Sequence, residues 1–363
     1  MNVTAEATVE ARTDRVVELL AERELDCLLV TNLVNVRYLT GFTGTNGACV
    51  ITPDERLFLT DFRYVEQSRE EVRGYERVKA GRDMLGDLAE RLRGRAGFDD
   101  AHVTVERHRK LAEKVADGVE LVSTGGLIEG LRAVKDRHEV AAMRAAAALA
   151  DEVYEELRER GLAGGTEREV ALSVARSLED RGADQPSFPP IVASGAHGAL
   201  PHALPRDAEI PRGTLVVLDI GAQLDGYCSD CTRTFATGPL DDEDALAVYQ
   251  LVHGAQEAAL GAVRAGAACK AVDATARDII EAAGHGEHFG HGLGHGVGLE
   301  VHEGPRLAKT AEEEELQAGN TVTVEPGVYV PGQVGVRIED LVVVTDGEPE
   351  ILTGFPKGLV TVD

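Results

Sequence analysis

The sequence predicts a two-domain chain, an α/β domain followed by an α+β domain with an antiparallel sheet. Three observations lead there. The 363 residues, 43% hydrophobic and 28% charged, suffice for two cores in an ordinary globular balance. Helical and strand patterns alternate through the first third of the chain. Beyond residue 214 the pattern turns to apolar strands that carry carboxylates.

In chain order, "RVVELLAERELD" spaces its apolar residues as a helix does and leads into the short apolar strand "CLLVTN". "GACVITPDERLFLTDFRY" reads as two strands joined at Pro53-Asp54-Glu55. A helix over "MLGDLAERLRGRAG" and a strand over "HVTVERH" complete the first domain. Gly125-Gly126 then breaks the pattern, which places the domains at 1–124 and 125–363. Val140, Met143, Ala147, Ala150, Tyr154 and Leu157 recur by threes and fours, predicting a long amphipathic helix that Gly161, Gly164 and Gly165 end. Thr166 to Glu169 has the S/T-x-x-E form of a capping box and opens the next helix. Four strand stretches follow, "TLVVLDIGAQ", "GYCSDCTRTF", "TVTVEPGVYV" and "VGVRIEDLVVV". The helices "EDALAVYQLVHGAQEAAL" and "CKAVDATARDIIEAA" lie between them.

Several function classes drop out on composition. A net charge of −26 disfavours nucleic acid and anionic membranes as partners. No stretch approaches the roughly 18 apolar residues of a membrane span. The opening "MNVTAEATVEARTDR" has no apolar core of a secretory leader, so the cytoplasm is the expected address. Five scattered cysteines suggest reduced thiols. Cys228-x-x-Cys231 could suggest a redox pair or half a zinc site, but no second C-x-x-C exists and its surroundings read as strand, which disfavours both.

The acids inside apolar strands need a reason. Asp219 and Asp230 flank a turn at Leu224-Asp225-Gly226. A two-residue loop at 224–225 sets them directly opposite; a loop at 225–226 makes them diagonal neighbours on one face. A three-residue loop would separate their faces. Glu325 and Glu339 become opposite neighbours if Pro331, Gly332 and Gln333 form the loop between them. Each hairpin then presents two acids on one face. Four buried carboxylates repel one another and protonate unless cations offset them, and two divalent ions balance the charge. The competing reading is a solvated face of strand ends in an acidic protein.

The stretch "HGLGHGVGLEVHEGP" crowds histidines and glycines between these hairpins. Its G-x-G-x-G spacing, preceded by a helix, is not a dinucleotide-binding fingerprint. With "VLDIGAQLDGYCSDCTRTF", "GHGLGHGVGLEVHEGP", "VEPGVY", "VGVRIEDL" and the linker "LRAVKDRHEVAAMRAAAALAD", the chain resembles the pita-bread metallopeptidases. That family includes methionine aminopeptidase, aminopeptidase P, Xaa-Pro dipeptidase (prolidase) and creatinase. The likeness spans nearly the whole chain and is strongest to bacterial or archaeal prolidases. It implies a creatinase-type N-terminal α/β domain and an α+β pita-bread catalytic domain with a curved antiparallel sheet.

The resemblance also implies roles. Asp219, Asp230, His295, Glu325 and Glu339 match five ligands of a dinuclear centre, with Asp230 and Glu339 bridging. Mn²⁺ is the expected ion, with Co²⁺ or Zn²⁺ as alternatives. The glycines around His295 are expected to let the backbone approach the metals. Glu325 doubles as the proton carrier, His302 meets the substrate carbonyl, and His202 lies near the scissile amide. His291 lines the pocket or steadies its loop. Arg306 grips the substrate's C-terminal carboxylate. Arg337 is expected on the strand face opposite Glu339, as a charge partner more than a substrate contact. His197 is given no role.

The implied reaction is hydrolysis of the bond before proline in Xaa-Pro dipeptides, by hydroxide activated at the metals. The alternative is an Xaa-Pro aminopeptidase acting on longer peptides. A metal-free creatinase-type hydrolase and a non-catalytic binding module are remoter, since the full ligand set is present. A homodimer is also implied.

Overall fold

The computed structural model describes residues 5–311 and 314–362 and divides into two compact units, one up to Arg132 and one from Ala133. The first four residues of the opening stretch lie outside the described range. The first unit runs α1 (Ala5–Glu22), β1 (Cys27–Val30), α2 (Leu33–Thr40), β2 (Gly47–Ile51), β3 (Arg56–Thr60), α3 (Val65–Glu71) and β4 (Glu76–Lys79). It continues with α4 (Met84–Ala89), β5 (Arg95–Phe98), α5 (Val105–Ala112), β6 (Glu120–Ser123) and α6 (Leu127–Ala133). Its six strands form one mixed sheet in the order β4-β3-β2-β1-β5-β6.

One expectation fails here. The stretch "HVTVERH" is not a strand but the start of α5. Thr104 caps that helix, its side chain accepting from the Arg107 amide, and Glu106 sits in the first turn against the helix dipole. The neighbouring strand is instead β5, inside a stretch assigned to helix. Local capping outweighed a short alternation.

The second unit opens with α7 (Arg137–Arg160) and α8 (Glu167–Asp180), each closed at its N-terminus by a full capping box. Strands β7 (Gln185–Pro186), β8 (Ile191–Ser194), β9 (Leu215–Ile220), β10 (Ala222–Leu224), β11 (Tyr227–Cys228) and β12 (Cys231–Thr237) follow. Then come α9 (Glu243–Leu260) and α10 (Cys269–Ala282). The chain continues through β13 (Gly294–Gly296), β14 (Glu303–Leu307), β15 (Thr321–Val324), β16 (Gly327–Val330), β17 (Val334–Arg337) and β18 (Asp340–Val343). It closes with β19 (Glu350–Ile351) and β20 (Thr361–Val362). One sheet orders β20-β12-β9-β8 and another β14-β13-β15-β18-β19, while β16 and β17 pair alone.

Helices cover these sheets through two apolar clusters. Tyr154 and Leu157 of α7 and Val174 of α8 pack with Val216, Leu218 and Phe235. Val252 of α9 and Ile280 of α10 pack with Val322, Val324, Val336 and Val342. The buried hydroxyl of Tyr154 donates toward the Leu218 and Cys231 carbonyls, at 3.0 and 2.7 Å. It thereby fastens α7 to β9, which carries Asp219, and to the first residue of β12, next to Asp230. The described cysteines are all free and buried. Among the described residues, no helix is long and apolar enough to cross a membrane.

Candidate metal centre

The first hairpin turns at Asp225-Gly226, with φ of 50° and 81°. Two consecutive positive φ values make the loop that matches strand twist, and Asp-Gly suits it. Leu224 pairs with Tyr227 and Asp219 with Thr232, so Asp219 and Asp230 are diagonal neighbours on one face. Of the two registers left open by the sequence, this is the second. Gly221 is required nearby, because a Cβ there would collide with the Ser229 backbone.

The second hairpin keeps the expected three-residue loop. Val330 pairs with Val334 at its tip and Val324 with Asp340 at its base. Glu325 and Glu339 lie opposite each other in the gap between these two ladders, outside the strands proper. Their backbone amides therefore bond elsewhere. Glu325 N donates to Leu293 O at 2.8 Å and Glu339 N to Thr232 O at 3.1 Å. Each acid is thus stitched to a strand or loop that leads to another candidate ligand.

His295 sits in β13, directly across from Arg306 of β14. Its Nδ1 faces its neighbour's carbonyl, Gly296 O, at 3.0 Å, leaving Nε2 turned to the acids. Nε2 is 3.3 Å from Glu325 and 3.7 Å from Asp230. The flanking glycines have a steric role. A Cβ at Gly294 would meet Thr323 O and one at Gly296 would meet Gly304 O, so they admit neighbouring backbone strands.

Oxygen atoms of Asp219, Asp230 and Glu339, all three buried, lie within 4.8 Å of one another. Burial, then the charges of Glu339, Asp219 and Glu325, pushes the Asp230 carboxyl well above its ordinary range. Burial and the charges of Glu325 and Asp219 do the same to Glu339. Glu325 moves the other way: burial would raise it, but the hydrogen bond and charge of His295, with the charges of His291 and Arg337, hold it down. His295 is raised in turn, since Glu325 outweighs the effect of burial. Asp219 Oδ1 is buried and has no hydrogen-bond partner. A buried carboxylate oxygen without a partner is costly. Clustered oxygen donors, one imidazole nitrogen and that orphaned oxygen fit hard or borderline divalent cations.

Arg337 corrects another expectation. It shares the face of Glu339, as residues two apart in a strand do, and points into the acids. Its Nη2 donates to Asp219 Oδ2 at 2.6 Å, Nε to the Thr232 hydroxyl at 2.9 Å and Nη1 to the Tyr329 hydroxyl at 2.9 Å. The Thr232 hydroxyl in turn donates a hydrogen bond to Glu339 Oε2 at 2.7 Å. His291 Nε2 lies 3.0 Å from the Tyr329 hydroxyl and Nδ1 2.7 Å from Gly292 O. Both ring nitrogens of His291 are therefore engaged within the protein. Thr232 and Tyr329 escaped the sequence reading because a hydroxyl leaves no charge pattern. The hairpin register did hold a signal, since it sets Tyr329 diagonally across from Arg337.

The remaining candidates are exposed. His302 is exposed, its ring 4.3 Å from that of His295. Partial burial and then the charge of His295 hold its pKa below the usual imidazole value, and His202 and Arg306 add to this. His202 is exposed in the turn after a short 3₁₀ segment (Gly195–Ala199), and its charge reaches both His291 and His302. Arg306 is exposed on β14, facing the side of His295.

Comparison with known proteins agrees with this geometry. Metallopeptidase family M24 matches residues 141–346, and the Creatinase/Prolidase N-terminal domain matches residues 12–134. The Xaa-Pro dipeptidase of Pyrococcus furiosus is 33% identical over 97% of this chain and 100% of its own length. The structure of an Xaa-Pro dipeptidase from Bacillus anthracis superposes with a TM-score of 0.94 at 37% identity, covering 98% of this chain and 100% of that one. An X-Pro aminopeptidase from Thermotoga maritima gives 0.88 at 32% identity, covering 97% and 100%. With buried acids gathered as a metal site needs and both domains matched, the chain belongs to metallopeptidase family M24, a creatinase-type N-terminal domain joined to a pita-bread catalytic domain.

Proposed function

We propose that the protein hydrolyses the peptide bond before proline in Xaa-Pro dipeptides, with two divalent ions held by Asp219, Asp230, His295, Glu325 and Glu339. The observation that carries this reading is the buried triad of Asp219, Asp230 and Glu339 with the unpartnered Asp219 Oδ1. The oxygen-rich donor set favours Mn²⁺ over a structural zinc. When bound, such ions supply a water of lowered pKa and a Lewis acid for the scissile carbonyl.

The chain's own residues divide the remaining work. Glu325, held ionised by His295, takes a proton from the attacking water and passes it to the leaving proline nitrogen. His302, kept neutral by its depressed pKa, donates an N–H to the oxygen that becomes negative. His202 stands beside the departing amide. Arg306 offers its planar fork to the free carboxylate of the dipeptide. Arg337 does not touch substrate in this scheme, because four of its five N–H donors are engaged by Asp219, Thr232, Tyr329 and the Pro201 carbonyl.

The likeness to the Thermotoga maritima X-Pro aminopeptidase favours one second reading, cleavage of longer Xaa-Pro peptides. Kinetics of the Mn²⁺-loaded protein on an Xaa-Pro dipeptide and on its C-terminally extended tripeptide separate the two. Strong preference for the dipeptide is expected. Comparable rates would move the assignment to the aminopeptidase, and no hydrolysis under any divalent ion would sink both.

A further inference from the structure

Glu167, the first residue of α8, has a side chain with no exposed surface, yet it lies among none of the acids described above. All the side-chain partners of its carboxylate come from residues 194–206, the segment that carries His202. Oε1 accepts from the Ser194 amide and hydroxyl, both at 2.9 Å, and from Arg206 Nη2 at 3.1 Å. Oε2 accepts from the Arg206 amide and Nε, both at 3.1 Å, and lies 2.9 Å from His197 Nδ1. Ser194 ends β8 and Arg206 closes the segment, so one carboxylate binds both feet of the loop.

Between its feet the loop's apolar anchorage is confined to the small buried side chains of Ala199 and Ala203. Leu200 and Leu204, which flank His202, are 56% and 78% exposed. The short 3₁₀ segment rests on β17, where Gly198 and Gly335 allow backbone against backbone. Near the tip, Pro201 O accepts from Arg337 Nη1 at 3.1 Å. The tip is therefore held by this one polar tie and by the buried Ala203, and Glu167 gathers the polar ties at the base.

We propose that Glu167 is a positioning residue for His202, a carboxylate clamp that sets where this imidazole stands over the metal centre. This rests on the reading above that His202 acts beside the scissile amide. Drawing Ser194 and Arg206 together fixes the span of the loop, and a shift of about 1 Å at a reacting group can cost on the order of 10²-fold in rate. Glu167→Gln preserves the shape but removes the charge that holds Arg206 and turns an NH₂ toward donors.

The test uses the full-length, Mn²⁺-loaded enzyme with Glu167→Gln, His202→Ala and the double variant. Arg206→Ala removes only the guanidinium ties at one foot, leaving the amide bond, and replaces Glu167→Gln if that variant fails to fold. Hydrogen exchange is expected to quicken about 10-fold or more in residues 195–206, with α8 and β9 unchanged. The kcat of Glu167→Gln should fall about 10-fold or more. The double variant should be no slower than His202→Ala alone, because the two act on one interaction. Unchanged exchange in 195–206 overturns the clamp whatever the kinetics. Multiplicative losses in the double variant, which a merely weakened fold would give, overturn the positioning role. Full activity of His202→Ala overturns the role given to that histidine, and this proposal with it, even where exchange quickens.

Discussion

Arg337 and Asp219 meet at 2.6 Å inside the acid cluster, and the other oxygen of Asp219 has no partner. One oxygen is thus committed to a guanidinium and one is left for a cation. Arg337 also holds Thr232, which holds Glu339, so a single fork orients two of the clustered acids. Arg337→Lys keeps the charge but loses the fork. It should lower metal affinity or activity about 10–100-fold, as loss of a ligand-orienting partner commonly does. Metal titration alongside kcat/KM checks it; a variant within twofold of wild type in both would refute the orienting role.

Metal uptake should release protons. Without cations, burial and mutual repulsion raise Asp230 and Glu339 well above ordinary carboxylate values. The folded metal-free protein then holds protons that the unfolded chain has lost, so its stability falls as pH rises through and above the usual carboxylate range. Bound ions remove that penalty. The gap in Tm between loaded and metal-free protein should therefore widen from mildly acidic to mildly alkaline pH. Calorimetry in buffers of different ionisation enthalpy should show proton release. A pH-independent gap with no released protons would contradict the charge argument.

The carboxylate-gripping role proposed for Arg306 bears on substrate length. Arg306→Ala should raise KM for Xaa-Pro dipeptides on the order of 10²-fold, the scale of a lost charge-assisted fork. Hydrolysis of a tripeptide, which carries no carboxylate at that place, should change little. Equal losses on both substrates would show that Arg306 supports the loop and not the selectivity.

Acid should weaken the loop base as well. Burial opposes ionisation of Glu167, but hydrogen bonds from Arg206 and Ser194 prevail and lower its pKa from 4.5 to about 2. The folded value lies below the unfolded one, so the ionised group stabilises the fold above pH 4.5. That contribution disappears as pH falls toward about 2. Wild type should unfold at a higher temperature than Glu167→Gln at neutrality, and the difference should close in acid. A difference that persists undiminished there would rule out the carboxylate charge as its source.

Both hairpins were legible because their loops carry Asp-Gly and Pro-Gly and their strands alternate with a period of two. The choice between loops at 224–225 and 225–226 was not, since the Asp-Gly dipeptide argues for a turn without fixing which residues take positive φ. The helix α5 was hidden by an alternating stretch whose Thr104 acts as a cap. Arg337 differs from its expected place because residues two apart share a strand face, and the break in the ladder at Ile338 leaves that alternation intact. Glu167 read only as the start of a capped helix, because its partners lie 27 to 39 residues away and no local pattern announces them.

The broken ladder at Glu325 and Glu339 also bears on how the molecule is made. Because Glu325 N reaches Leu293 O and Glu339 N reaches Thr232 O, the ligating atoms converge only after segments far apart in the chain have closed on one another. Loop-closure entropy makes such pairings slow to form. A partly assembled chain therefore offers no competent ligand set, and the rate at which a refolding sample takes up divalent metal times the completion of its topology.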